Sequence, residues 1–165
     1  MKFVRISSKL EKQLEEYVVE NKEKHYRIAY SYVKNTDDAL DIVQESIFKA
    51  LISLNTLKNP EFMKTWFYRI LVNCSLDCIR KQKKIITLDN EVLYSYINEF
   101  NDTYTDIDLH KALDELPDSY RSIIILRFFE DLKIEEIAEI LNENINTVKT
   151  RLYKSLDKLR IKMND

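Results

Sequence analysis

The run Asn144-Ile145-Asn146-Thr147-Val148-Lys149-Thr150-Arg151-Leu152 gathers amide, hydroxyl, ammonium and guanidinium groups at helical spacing. If Val148, Leu152, Leu156 and Leu159 form the inner stripe of a helix, then Asn146, Lys149, Thr150, Arg151, Lys154 and Lys158 point away from it. Donors and acceptors clustered on one exposed helix face are what reading base edges in the DNA major groove requires. A Lys/Arg face is more often plain solvated surface, so the elements that would position this one decide its meaning.

Just upstream, Ile134, Ile137, Ala138 and Leu141 make a second apolar stripe, and about three polar residues, Asn142, Glu143 and Asn144, separate the two. Two short amphipathic helices joined by so short a turn make a helix-turn-helix pattern. The chain has 165 residues, no glycine, two prolines (Pro60 and Pro117), 33% charged and 45% hydrophobic residues. Tight hairpins and phosphate-cradling loops lean on glycine, so its absence argues for an all-α protein without nucleotide-binding loops. Residues 1–20 hold no apolar run of signal-peptide type, and no 18 consecutive residues are apolar, which predicts a cytoplasmic protein with no direct membrane insertion. Cys74 and Cys78 share a helix face, and the only histidines are His25 and His110, so buried thiols acting as small hydrophobes are expected rather than a metal site. There is no nucleophile motif or HExxH-like helix, and the scattered carboxylates make no acid–base pair. No catalytic residue, metal or cofactor is expected.

The net charge of −2 hides an asymmetry: residues 1–84 carry +5, 85–108 carry −6, 109–143 carry −5 and 144–165 carry +4. Two basic segments parted by an acidic one suggest two nucleic-acid contacts and an acidic tether. In the first half, Leu10, Leu14, Tyr17/Val18, Ile28 and Tyr32 predict one helix, broken near Asn35-Thr36. Leu40, Val43, Ile47, Leu51 and Leu54 predict the inner stripe of a second, with Thr36 or Asp37 as its cap. A polar loop, Asn55–Asn59, and Pro60 precede a third helix from about Glu61 to Lys83, lined inside by Phe67, Ile70, Leu71, Cys74 and Cys78. From Ile86 to Asp108 the helical period fades into Tyr, Asn, Asp and Thr, too polar for a core and too long for a compact-domain loop. The expectation is two small helical domains, 1–84 and 108–165, joined by an acidic flexible linker, 85–107. The second should hold helices at Asp108–Leu116 and Ser119–Glu130 ahead of the helix-turn-helix.

The segment Asp37-Asp38-Ala39-Leu40-Asp41-Ile42-Val43-Gln44-Glu45-Ser46-Ile47-Phe48 resembles the core-binding helix of sigma-70-type sigma factors. Thr65-Trp66-Phe67-Tyr68-Arg69-Ile70-Leu71-Val72-Asn73 and then Asp77-Cys78-Ile79-Arg80-Lys81 resemble their −10-reading helix. Leu116-Pro117-Asp118 through Arg127, with Glu136-Ile137-Ala138 and Thr147-Val148-Lys149-Thr150-Arg151-Leu152, resembles their −35-reading domain. All three stand in the family's order, and the short length resembles the two-domain extracytoplasmic function (ECF) subfamily. The wording of the first and last motifs leans toward its envelope-stress, sigma-V-like members. Three positions depart from the pattern. Asn146 stands where a glycine is frequent, Lys133 where a small capping residue is, and Asp131 where glycine or another small residue is. Asn accepts the left-handed region best after Gly, so the turn should survive.

The resemblance implies a protein that binds core RNA polymerase and promoter DNA and promotes transcription initiation. Asp41, Gln44, Glu45 and Phe48 would meet the coiled coil of the β′ clamp, and an acidic face with an aromatic suits an Arg-rich partner helix. The family's second domain would touch the β flap. Trp66, Arg69, Asn73, Arg80 and Lys84 interleave basic groups with an aromatic and an amide, as suits single-stranded DNA. Trp66 could serve as a stacking platform or pack into the core, and Asn73 sits where the family reads the non-template strand. In the family a flipped base enters a pocket between this helix and the preceding loop, here about Asn55–Met63. Asn146, Thr147, Lys149, Thr150, Arg151 and Lys154 would contact the −35 element. The acidic linker could occupy a basic channel of the polymerase. A membrane-anchored anti-sigma factor is expected as regulator. The rivals are an ordinary helix-turn-helix regulator, which leaves the acidic face and the Trp66–Asn73 motif unexplained, and a helical protein-binding adaptor, which needs no basic face over 144–162.

Overall fold

The computed structural model describes residues 8–89, 109 and 111–164. Every regular element among them is helical: α1 Ser8–Glu20, α2 Lys22–Val33, α3 Thr36–Ile52, α4 Met63–Asp89, α5 Asp118–Ile124, α6 Ile134–Leu141 and α7 Ile145–Asn164, with two single 3-10 turns, Leu54–Thr56 and Pro60–Phe62, before α4 and a helical stretch over 111–114, within the helix expected at Asp108–Leu116, before α5. They form two compact units, the first running from α1 to Cys78 within α4 and the second holding most of the chain after Cys78. The expected linker lies outside the described residues from residue 90 onward. Its first residues, 85–89, are instead the last turn of α4.

In the first unit the single helix expected over residues 10–32 is two. At Asn21 the backbone opens (φ −110°, ψ 12°), and the Asn21 amide donates to the Tyr17 carbonyl at 2.9 Å, competing with the helical ladder. α2 ends at Lys34, held left-handed at φ 54° with its N–H on the Tyr30 carbonyl (2.8 Å). α3 is capped by Asn35, whose Oδ1 accepts the Asp38 N–H at 3.0 Å, rather than by Thr36 or Asp37. The core closes on Leu14, Ile28, Ile42, Leu54, Phe67 and Leu71.

The inner stripe of α3 is displaced by one residue from the expected one. Ala39, Ile42, Ser46 and Ala50 are buried, while Leu40 and Leu51 are about half exposed (47% and 48%). Small inward residues let helices approach closely, and the Ser46 hydroxyl stays satisfied by donating to the Ile42 carbonyl at 2.7 Å. Ser31 and Ser75 repeat the device on α2 and α4, donating to Arg27 and Leu71 at 2.8 Å each. On α4, Phe67, Leu71 and Cys74 are buried as expected, joined by Met63, Tyr68, Val72 and Ile79, while Ile70 and Cys78 are half-buried.

His25 is fully buried among rings. Its centroid lies 4.5 Å from that of Phe67, 5.3 Å from Tyr17 and 5.6 Å from Tyr68, and Nε2 is 3.1 Å from the Tyr17 hydroxyl. Burial, with a smaller push from Lys24, lowers its pKa to about 4. Burial likewise drives the Tyr17 phenol far above its ordinary range, with Tyr68 adding to it, so the hydroxyl keeps its proton.

In the second unit Leu113, Ile123, Ile125, Leu126, Ile137 and Val148 make the core. Arg121 is buried and paired with Asp114 at 3.0 Å. The helix expected over Ser119–Glu130 is α5 followed by a wide π turn, Ile125–Phe129. Asp131 then turns left-handed at φ 52°, the Leu132 N–H reaches the Leu126 carbonyl (3.1 Å), and Arg127 holds the Leu132 carbonyl at 2.9 Å. On α7, Val148, Leu152 and Leu159 are buried as expected. Leu156 is 37% exposed because Ser155, bonded back to the Arg151 carbonyl at 2.6 Å, takes the inner position.

Candidate functional site

α6 ends at Leu141 and α7 starts at Ile145, so the turn is Asn142–Asn144. Asn142 is left-handed (φ 53°), and the Glu143 N–H reaches back to the Ala138 carbonyl at 2.9 Å, a Schellman closure. The Asn144 side chain accepts the Asn146 N–H at 2.8 Å and caps α7. Asn146 is therefore helical, and the left-handed corner that asparagine suits lies four residues earlier. Lys133 starts α6 without a capping side chain of its own, and the Glu136 carboxylate accepts its N–H at 3.1 Å instead.

Asn146, Lys149, Thr150 and Lys154 are exposed and Thr147 is half-buried. The Thr150 hydroxyl donates to the Asn146 carbonyl at 2.9 Å, which leaves its oxygen as an acceptor. Arg151 is half-buried and ion-paired with Glu143 of the turn at 3.1 Å. It therefore sits on the flank and braces the turn. Tyr153 is 65% exposed at i+3 from Thr150 and i+4 from Lys149. The basic pattern passes over this uncharged residue, and its helical phase alone was the signal.

On α3, Asp41, Gln44, Glu45 and Phe48 are exposed, Phe48 at 62%, and Leu40, Leu51 and Ile52 share that outward side. The surface is an apolar strip edged by carboxylates, richer in hydrophobes than the sequence suggested. Glu45 is paired with Lys49 at 3.2 Å, and this hydrogen bond leads the causes that raise the Lys49 pKa. On α4, Arg69, Asn73, Arg80 and Lys84 are exposed, with Arg80 ion-paired to Asp118 at 3.4 Å. Trp66 is half-buried, and its indole N–H donates to Thr56 Oγ1 at 3.2 Å, which ties the preceding loop to the helix.

Among the described residues no three His, Cys, Asp or Glu side chains are placed to hold a metal, and no helix is long and apolar enough to cross a membrane. Cys74 is buried, which raises its pKa, and Cys78 is half-buried.

An exposed acidic–apolar face on α3, an exposed basic face on α4 and a capped helix-turn-helix thus follow one another along the chain. The family model for sigma-70 region 2 matches residues 18–85, and that for sigma-70 region 4 matches residues 106–159. The chain is 60% identical to RNA polymerase sigma factor SigV of Bacillus subtilis (strain 168), over 88% of each chain. It is 33% identical to the ECF RNA polymerase sigma factor SigW of the same organism, over 87% of this chain and 85% of that one. Its fold is similar to that of the sigma factor RpoE in a co-crystal structure with the anti-sigma factor NepR from Bartonella quintana. That match has a TM-score of 0.69 and 21% identity and covers 91% of this chain and 96% of that one. The chain belongs to the sigma-70 family of RNA polymerase sigma factors, in its extracytoplasmic function subfamily. As such it binds core RNA polymerase and promoter DNA in transcription initiation and is not an enzyme.

Proposed function

We propose that the three faces divide the work of initiation. The outward side of α3, with Asp41, Gln44, Glu45 and Phe48 at its centre and Leu40, Leu51 and Ile52 around them, docks on the coiled coil of the β′ clamp, and the second unit touches the β flap. The outer face of α4, through Trp66, Arg69, Asn73, Arg80 and Lys84, takes the non-template strand of the −10 element. α7 enters the major groove of the −35 element with Asn146, Lys149, Thr150 and Tyr153 toward the bases. Lys154 holds a phosphate, Thr147 lies at the groove edge, and Arg151 lies near the backbone while bracing the turn. Residues 1–89, 90–107 and 108–165 act as polymerase and −10 module, acidic tether and −35 module. The protein works in the cytoplasm under a membrane-anchored anti-sigma factor. The observation that carries this reading is the capped α6–turn–α7 unit, with its polar face outward, following an acidic–apolar helix and a basic one. Run-off transcription with purified core polymerase on a promoter library tests it. Specific transcripts that depend on added protein are expected, and their absence would sink the proposal.

Lys149 and Lys154 should separate reading from anchoring. Lys149→Ala is expected to change which −35 bases are tolerated, by about 1–3 kcal/mol at one position. Lys154→Ala should weaken all promoters alike and lower the salt slope by roughly one unit. Titrations over a salt series on single-base −35 variants decide it. A uniform loss from Lys149→Ala would mean a different docking of α7.

Asn73→Ala should relax −10 base preference and impair opening, with binding to a −35-only duplex intact. The amide both donates and accepts at a base edge, and alanine does neither. Permanganate footprinting showing normal melting and unchanged preference would refute the assignment.

A further inference from the structure

Leu40, Phe48, Leu51 and Ile52 of α3 are 47% to 64% exposed in the free chain. With Ala39, Ile42, Ser46 and Ala50 inside, a turn of about 100° per residue puts Gln44, Phe48 and Leu51 on the outward line. Leu40 and the half-buried Ile47 lie on one flank of that line, and Asp41, Glu45 and Lys49 on the other. The acidic flank is complementary to itself when reversed, because it carries acids at 41 and 45 and a cation at 49. A two-fold axis between two facing antiparallel helices brings each flank against the same flank of the other copy. Placed level with Ser46, that axis sets Leu51 against Leu40 of the second copy and Phe48 beside its Gln44 and Phe48. Lys49 then comes level with position 43 of the second copy, ~3 Å along the axis from both Asp41 and Glu45. Each lysine sits between two acids, and the apolar strip is covered.

We infer that α3 pairs with α3 of a second copy of this chain, antiparallel, in a dimer that hides the surface proposed above to dock on polymerase. The pairing stands on the apolar strip and its charge pattern; only the hiding rests on the docking reading. Scattered exposed leucines are ordinary, but four large hydrophobes on one helix side make a contiguous patch that monomers seldom leave bare. In the free chain Lys49 is held by Glu45 of its own helix at 3.2 Å, both about half exposed. Such a pair contributes little, so exchanging it for a pair across the dimer costs little. One helix side covers well under the ~800 Å² per partner of a stable interface, so the dimer is transient, with a dissociation constant on the order of 10–100 μM. It forms when the chain outnumbers polymerase and dissociates before docking.

Sedimentation equilibrium of the full chain, from tenfold below that constant to tenfold above it, should show monomer and dimer exchanging. A monomer throughout would overturn the proposal. Lys49→Glu leaves only acids on the flank, and Asp41→Lys with Glu45→Lys leaves only bases, so each variant alone should associate at least about tenfold more weakly. All three positions are exposed, and circular dichroism checks that both variants keep their helices. Mixing the two variants should restore a dimer with one copy of each. A mixture that stays monomeric, or a self-association that neither variant weakens, would also overturn the proposal. Fluorescence transfer between differently labelled wild-type copies reads the second level, and core polymerase should abolish it. If the transfer persists in the polymerase complex while the mixed variants pair, the dimer stands and the docking of polymerase on α3 falls.

Discussion

Combining Asp41→Lys, Glu45→Lys and Phe48→Ala is expected to weaken core-polymerase binding by about 4 kcal/mol, roughly a thousandfold. Reversing a carboxylate whose charge pair is largely desolvated costs about 1–3 kcal/mol. Removing an aromatic anchor that becomes buried costs about 1.5–3 kcal/mol. The three share one surface, so the total falls short of the sum. All three side chains are exposed in the free chain, and the inner side of α3, Ala39, Ile42, Ser46 and Ala50, is untouched. The fold should therefore hold. One side effect needs its own control, because Glu45 is bonded to Lys49. That helix pair contributes only about 0.3–0.5 kcal/mol, and Lys49→Ala measures it. Equilibrium titration of labelled core polymerase gives the affinity, and a value within threefold of wild type would move the docking surface off α3.

The first unit should lose stability as pH falls from 6.5 toward 4, by about 3 kcal/mol, through His25 alone. Its folded pKa of about 4 lies below the ordinary 6.5, so the folded state favours the neutral ring. Above pH 6.5 both states are neutral and the contribution is complete. Between 6.5 and 4 the unfolded chain takes up a proton that the ring cluster refuses, and stability drains away. Carboxylates titrate in the same window, so the comparison is with His25→Leu, which should show a shallower loss between pH 7 and 4.5. Urea unfolding at a series of pH values reads the difference. Parallel curves for the two proteins would mean that His25 is not protected from protons.

The helical architecture, the turn at Asn142–Asn144 and the order of the two sigma-70 regions were legible in the sequence. Long apolar side chains at period 3.6 and a short polar gap leave a strong mark. The phase of α3 was not legible, and the reason is physical. Its inner side is built from Ala39, Ser46 and Ala50, and its larger hydrophobes Leu40, Phe48 and Leu51 face outward, so the hydrophobic pattern points to the surface. Ser155 in place of Leu156 on α7 obeys the same logic, since a serine bonded back to its own helix can be buried without an outside partner. The break at Asn21 and the π turn at Ile125–Phe129 depend on which carbonyl a given N–H or side-chain amide chooses, and composition does not carry that. Among the candidate site residues, type and spacing marked stripes that the fold leaves mostly exposed, but not the commitments of individual side chains. By type Arg151 is one more outward cation, yet Glu143 holds it, and the exposed Tyr153 carries no charge to mark its place on the outward face.

A chain without glycine must still turn left-handed corners, and among the described residues it does so on Lys34, Asp131 and Asn142, with φ between 52° and 54°. A β-carbon in that region crowds the following carbonyl at a cost of about 1–2 kcal/mol, less for the amide or short acid, whose side chains suit it. Elsewhere the lack of glycine stiffens the unfolded chain and lessens what folding must freeze. The sequence has thus accepted local crowding at these corners while keeping a less floppy denatured ensemble. For anyone seeking a more heat-tolerant version, this ranks the addresses. Lys34, outside the core and least suited to its corner, has the most to gain from glycine; Asn142, at the turn that aims α7, has the least.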